Sequence, residues 1–293
     1  MTIRPRRSML YMPGSNARAI EKARELPADG VILDLEDAVA PDAKAQAREL
    51  VVQALQKGGF GGREVLVRIN GLDTAWWRDD LAVAAAGPDA LLLPKVSTPE
   101  QLRELARHFV GVGAEARIRV WAMMETPLAM LNARDIAAAA LDPATRLAGF
   151  VMGTNDLAKE TRARIVPGRA PMLPWLTACV AAARAYGLAI LDGVYNELGD
   201  LEGFAAECGQ ARDLGFDGKT LIHPQQIAPC NAAFSPAPEE VAWARKIIAA
   251  FDLPENAGKG VIQIEGRMVE RLHAEMARQV MAIAEAGAPM RPA

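Results

Sequence analysis

Val31-Ile32-Leu33-Asp34-Leu35-Glu36-Asp37 sets a short, nearly continuous apolar run, Val31 to Leu35, directly before an acidic pair, and an amphipathic helical pattern from Ala43 to Gln56 follows. A run of that length without strict alternation fits a strand buried on both faces of a parallel sheet. The arrangement recurs at Ser8 to Met12, Val65 to Ile69, Ala90 to Pro94, Arg119 to Met124, Ala148 to Met152, Leu188 to Leu191 and Gly218 to Ile222. Each run ends in polar residues and precedes a helix-like segment. The chain therefore reads as eight βα units and predicts an α/β fold, a (β/α)8 barrel.

The punctuation between the runs agrees with this reading. Thr98-Pro99 and Thr126-Pro127 each place a capping hydroxyl before a proline suited to the first helical turn. Gly58-Gly59, Gly187 and Gly215 stand where helices should stop, since glycine can take the left-handed conformation that ends them. Beyond the eighth run, a proline-containing stretch from Pro224 to Pro238 leads to a helical pattern from Glu239 to Phe251, a loop from Leu253 to Lys259 and a terminal helix from Met268 to Ala286. The expected organisation is a catalytic barrel over residues 1–230 and a helical extension over residues 231–293, packed on its own barrel or on a neighbouring subunit.

Composition narrows the partners. The 293 residues are 51% hydrophobic and 24% charged, as in folded, water-soluble chains. Lys+Arg 33 against Asp+Glu 36 gives a net charge of −3, which argues against nucleic acid or a membrane surface as partner and points to a small molecule. Three cysteines, Cys179, Cys208 and Cys230, show no CxxC spacing, so a reducing cytoplasm is expected and neither a disulfide framework nor a zinc knuckle. No export signal and no membrane span is read in the sequence. With three histidines and no HExxH, any metal must be held by carboxylates. GxSxG and GxxxxGK[ST] do not occur, and the glycines of Gly111 to Ala116 precede a strand instead of following one, which makes that segment a loop.

Active sites of such barrels lie at the C-terminal ends of the strands, so the residues that follow the apolar runs are the candidates. They are Glu36 and Asp37, Arg68 and Asn70, Lys95, Glu125, Asp156, Asp192 and His223. Glu125 and Asp156 close consecutive strands, which brings two carboxylates together over the barrel mouth as a hard octahedral cation such as Mg²⁺ requires. Water and a substrate with adjacent oxygens, such as a 2-oxo acid, would complete the coordination. Taken singly, each acid reads first as a helix cap; taken together, the set points to function. Arg68 lies on an apolar strand, where a guanidinium needs carboxylates or an anionic ligand, and pairing with Glu36 or Asp37 stands beside substrate binding as an open alternative. Lys95 is a salt-bridge partner of the same acids or a Schiff-base lysine, with Lys219 a second candidate for the latter. Pro13-Gly14-Ser15-Asn16 opens a helix after the first strand, as a plain cap or as a phosphate cradle.

RSMLYMPGSNARAIEKA, VILDLEDAVAPDAKAQAR, VRINGLDT, LLLPKV, METP, GTNDLA and LIHPQQI, in that order from Arg7 to about Ile227, resemble the segments of the HpcH/HpaI aldolase and citrate lyase β subunit group, which includes the malyl-CoA and citramalyl-CoA lyases. The resemblance implies a Mg²⁺-dependent barrel enzyme, with Mn²⁺ as a possible substitute, that cleaves or forms a carbon–carbon bond in a 3-hydroxyacyl-CoA thioester and yields an acyl-CoA and a 2-oxo acid. On this resemblance Glu125 and Asp156 are metal ligands, Arg68 is the substrate arginine, and Glu36 and Asp37 are the acidic pair behind the metal. Gly153, Thr154 and Asn155 of the GTNDLA motif border the substrate. Pro13, Gly14, Lys22, His223 and Pro224 fall where the group contacts coenzyme A. The segment GKG, a short strand and GRMVE resembles members that carry a catalytic aspartate into a neighbouring subunit of a trimer-based homo-oligomer; Glu270 stands at that position. A thioesterase on the same metal site and a non-catalytic subunit of a larger lyase complex are the alternatives.

Overall fold

The computed structural model describes residues 4–109 and 111–287. Eight parallel strands close into a barrel in chain order: β1 (Ser8–Pro13), β2 (Gly30–Asp34), β3 (Glu64–Arg68), β4 (Ala90–Leu93), β5 (Arg119–Met124), β6 (Leu147–Met152), β7 (Ala189–Asp192) and β8 (Gly218–Leu221), with β8 pairing back onto β1. Each strand coincides with one of the apolar runs. Helices follow the strands, among them Ala17–Ala23, Lys44–Lys57, Pro99–Phe109, Thr154–Thr161, Leu173–Ala185 and Leu201–Leu214. Gly58, Gly59, Gly187 and Gly215 all take positive φ at or just past helix ends, as the sequence leads one to expect.

Period-two alternation decides which side chains fill the barrel. Met9, Ile32, Leu66, Ala90, Leu92, Trp121, Met123, Val151 and Leu191 form one buried interior cluster. Residues two positions further along β1, β2 and β3 point the same way, which puts Tyr11, Asp34 and Arg68 in the layer nearest the mouth. The register pairs Asp34 directly with Arg68. Gly14 holds β1 close to β2: its N–H donates to Asp34 O at 2.8 Å, and a Cβ at this position would sit 2.7 Å from that oxygen. A side chain there would force the two segments apart.

The chain divides into two compact units, one over Arg6–Ala233 and one from Phe234 onward that also takes in residues 4–5. The expected boundary at 230/231 falls inside a helix, Ile227–Phe234, and this helix with a single 3-10 turn at Pro224–Gln226 occupies most of what reads as a proline-broken stretch. The C-terminal unit pairs the helices Pro238–Phe251 and Arg271–Ala286 with a hairpin, β9 (Val261–Ile264) and β10 (Arg267–Glu270). Ala244, Ile247, Phe251, Ile262, Val269, Ala274 and Ala277 make its own small core. Glu265 and Gly266, both at positive φ, supply the two-residue turn whose twist suits a hairpin. Hairpin pairing corrects the expected helix start: Met268 to Glu270 are strand, and the helix begins at Arg271.

Among the described residues no helix is long and apolar enough to cross a membrane, and Cys179, Cys208 and Cys230 are free and buried.

Candidate active site

A cavity of about 400 Å³ opens at the C-terminal end of the barrel. Arg68, Asp37, Glu125, Asp156, Pro13 and the Gly153-Thr154-Asn155 segment border it, so the sequence candidates from five separate strand ends meet in one place. Tyr11, Asp34, Met123, Val194, Asn196 and Thr220 also line it, and none of these was singled out from the sequence. For Asp34 the signal was present, since it shares parity with the apolar Ile32 two residues earlier.

Arg68 is held by three acids. Its Nε and Nη2 donate to Asp34 Oδ1 and Oδ2 at 2.7 and 2.6 Å, a bidentate pair across adjacent strands. Nη1 lies 2.7 Å from Glu36 Oε2 and 3.3 Å from Asp37 Oδ2, and the guanidinium carbon sits 5.0 Å from the centre of the Tyr11 ring. The expected pairing with Glu36 and Asp37 is present, and Asp34, which the sequence reading did not name, adds the bidentate contact. Glu36 Oε2 is buried and, although close to Nη1, receives no hydrogen bond. Burial pushes the Glu36 carboxyl up to about 7, against the pull of Arg68 and with Asp37 and Asp34 adding to the rise. Buried Lys44 fixes this loop by donating to the carbonyls of Leu35 and Glu36, each at 2.7 Å.

Glu125 is 1% exposed. Its Oε1 accepts the backbone N–H of Lys95 at 2.7 Å, and Lys95 takes φ 54 to present that N–H. On its other side lies Gly153, where any Cβ would overlap the Glu125 side chain. Burial first, then the nearby Glu36, pushes the Glu125 carboxyl up to about 8. Among the described residues no cationic side chain pairs with it; the ammonium of Lys95 carries no close ion pair there either. Asp156 lies in the first turn of the helix Thr154–Thr161, where the helix dipole favours a carboxylate. Thr126, not Glu125, caps the helix after β5, its hydroxyl accepting the Ala129 N–H at 3.0 Å. A buried carboxylate without a cationic partner, beside a second carboxylate on the same cavity wall, fits a hard divalent cation. Among the described residues no cluster of three or more His, Cys, Asp or Glu is disposed to bind metal, so a cation here would draw its remaining ligands from water and substrate.

Seven candidates lie elsewhere. Asp192 is fully buried behind the barrel wall, bonded to both Arg169 Nη1 and Lys219 Nζ at 2.7 Å. Lys219 also donates to Glu207 at 2.7 Å, and these acids hold its pKa above the ordinary lysine value despite the opposing effect of burial. A protonated, ion-paired amine is no Schiff-base nucleophile. His223 caps the Pro224–Gln226 turn, its Nδ1 accepting the Gln225 N–H at 3.3 Å, while Lys22 is exposed on the first helix; neither side chain borders the cavity, and Gly14 and Pro224 do not either. Glu270 is half-buried in the C-terminal unit, where it heads the helix Arg271–Ala286 and its N–H donates to His273 Nδ1 at 2.9 Å.

Fold and site together define a (β/α)8 barrel with a carboxylate-rich, arginine-bearing mouth. The chain belongs to the HpcH/HpaI aldolase/citrate lyase family, whose profile matches residues 7–224. It is 52% identical over 288 residues to a (3S)-malyl-CoA thioesterase of Cereibacter sphaeroides, covering 98% of this chain and 97% of that protein. The crystal structure of CitE from Mycobacterium tuberculosis in complex with magnesium, acetoacetate and coenzyme A aligns with a TM-score of 0.77 at 30% identity, over 97% of this chain and all of that one. A citrate lyase β subunit from M. tuberculosis complexed with oxaloacetate and magnesium aligns at 0.68 with 32% identity, over 80% of this chain and 100% of that one.

Proposed function

We propose that this protein is a Mg²⁺-dependent thioesterase acting on a 3-hydroxyacyl-CoA thioester of the malyl-CoA type. The full-length similarity to a (3S)-malyl-CoA thioesterase carries the reading. It revises the expected order of alternatives, which put carbon–carbon cleavage first. Glu125 and Asp156 would hold the metal, which when bound acts as a Lewis acid toward the substrate's hydroxyl and carboxylate oxygens. Arg68 Nη1 supplies positive charge to the carboxylate end. Asp34 fixes the plane of that guanidinium, and Tyr11 covers one face. Such preorganised charge stabilises developing negative charge without reorganisation during the reaction. Pro13, at the cavity edge, and Lys22 and His223, beyond it, are proposed to receive the coenzyme A portion. Glu270 is proposed to act as an acid in a neighbouring copy's site within a trimer-based homo-oligomer.

In hydrolysis, water adds to the thioester carbonyl, the carbon–sulfur bond breaks, and thiol and hydroxy acid leave. Carbon–carbon cleavage, the second reading, rests on the family's lyases and yields a 2-oxo acid with the thioester intact. The test is the product balance with (3S)-malyl-CoA and Mg²⁺. Thiol released in step with malate, lost in EDTA and restored by Mg²⁺, is expected; glyoxylate without thiol would establish the lyase instead. Glu125→Gln and Asp156→Asn should each lower turnover about a hundredfold or more with the thermal midpoint retained, because a neutral amide replaces an anionic hard ligand. Full turnover of either variant at limiting Mg²⁺ would remove it from the metal site.

A further inference from the structure

The polar wall of the mouth continues sideways. Thr154, Asn155 and Asn196 border both the mouth and a smaller cavity of about 80 Å³. Asn196, Tyr195 and Glu207 line both that small cavity and a third, of about 490 Å³. Asn155, in the first turn of the helix Thr154–Thr161, and Asn196, in the loop after β7, are both exposed and face each other through reciprocal hydrogen bonds: Asn155 Nδ2 donates to Asn196 Oδ1 at 3.1 Å, and Asn196 Nδ2 to Asn155 Oδ1 at 2.8 Å. Each amide keeps a second N–H for another acceptor.

Arg169 borders the small cavity from behind. Its backbone takes φ 52, a left-handed conformation that is strained for a residue with a Cβ, and its side chain is 3% exposed. Nη1 donates to Asp192 and Nε to Gln210 Oε1 at 2.8 Å, but Nη2, also buried, has no acceptor. An unmet buried guanidinium N–H is costly, and a water is its simplest partner. Arg169 and Lys219 are balanced in charge by Asp192 and Glu207, so the cluster favours a neutral acceptor over an ion. One water needs about 10–15 Å³ of such space, which leaves room for several in the small cavity.

We propose that the three cavities form a side channel that delivers the hydrolytic water to the thioester while substrate fills the mouth, with Arg169 Nη2 anchoring the water and the Asn155–Asn196 pair as its gate. The hydrolytic role rests on the thioesterase reading. In the step served, the water oxygen bonds to the carbonyl carbon and the carbon–sulfur bond breaks; one water proton ends on the thiol and the other stays with the acid. Two measurements on the full chain test it. A crystal structure that resolves ordered water should show it bonded to Arg169 Nη2 and beside the two amides. Nη2 bonded to a protein oxygen in a dry cavity would overturn the channel whether or not thioesters are hydrolysed. Kinetically, Asn196→Leu blocks the gate with an apolar side chain, whereas Asn196→Ser keeps a neutral hydrogen-bonding group and leaves the passage open. Thiol release should fall about tenfold in kcat at unchanged KM for the first and clearly less for the second. Equal losses would make the pair a scaffold of the mouth and refute the channel. A wild type that releases no thiol removes the hydrolytic role together with the thioesterase reading, and the crystal structure still decides the channel.

Discussion

Arg68 serves two ends at once, because its two bonds to Asp34 fix the barrel's top layer while the side chain also lines the cavity. Lysine would keep the charge and lose the planar fork. Arg68→Lys should therefore lower kcat/KM at least about tenfold and destabilise by about 1–3 kcal/mol as one Asp34 oxygen goes unmet. Steady-state kinetics and denaturant titration on the same preparation check both, and normal activity per folded molecule would leave Arg68 a scaffold residue. Gly153 makes a sharper case. Its N–H is committed to Met124 O at 3.1 Å, so the backbone cannot retreat, and an added methyl must displace the Glu125 carboxylate. Gly153→Ala should raise the Mg²⁺ concentration needed for half-maximal activity about tenfold or more. An unchanged Mg²⁺ titration would show that Glu125 is not the ligand.

Among the elements, β7 and β8 show how parity sorts function from stability. Leu191 points into the barrel, so Asp192, one residue on, faces outward to Arg169 and Lys219. Lys219 follows the same rule, and its neighbour Thr220 turns to the cavity with its hydroxyl donating to Asp192 O at 3.0 Å. Burial alone would raise the Asp192 pKa, but the Lys219 and Arg169 charges and their hydrogen bonds outweigh it and hold the carboxyl below the ordinary aspartate value. A depressed native pKa means that the unfolded chain binds the proton more readily in acid, so this stabilisation is complete above the unfolded value of about 3.9 and is lost as pH falls through the native one. Lys219, raised, behaves in mirror image: its share is complete below about 10.4 and is lost as pH rises through the native value. Thermal unfolding across pH should give a broad plateau that falls at both ends. Asp192→Asn should lower the plateau by about 3–5 kcal/mol, since it strands two buried cations with Glu207 alone, and should flatten the acid limb; an acid limb identical to wild type would place the acid sensitivity elsewhere.

For the whole molecule, the two-unit organisation frames the role of Glu270. The C-terminal unit has its own core and hairpin, and Glu270 sits where strand passes to helix. If it completes a neighbouring copy's site, inactive Arg68→Ala chains mixed with inactive Glu270→Ala chains should regain activity after subunit exchange. Up to about a quarter of the wild-type level is the natural scale, because only sites pairing an intact mouth with an intact Glu270 can work. A monomer in solution, or a fully active Glu270→Ala, would exclude the residue from the reaction.

The sequence by itself determined the barrel. Eight apolar runs with capped helices between them read as parallel strands buried on both faces, their number matches a (β/α)8 barrel, and strand ends in such a barrel point to one mouth. Glu125, Asp156, Arg68 and Asp37 were legible for that reason. Tertiary structure alone decided the rest. Asp34 became the arginine's clamp because strand register sets it opposite Arg68, and register is a property of two strands that no single run displays. Asp192, which reads from its position like any other strand-end acid, was sent behind the wall by a one-residue difference in phase. Gly153 and Lys95 matter through a missing Cβ and a backbone N–H, features that appear only once Glu125 is packed between them.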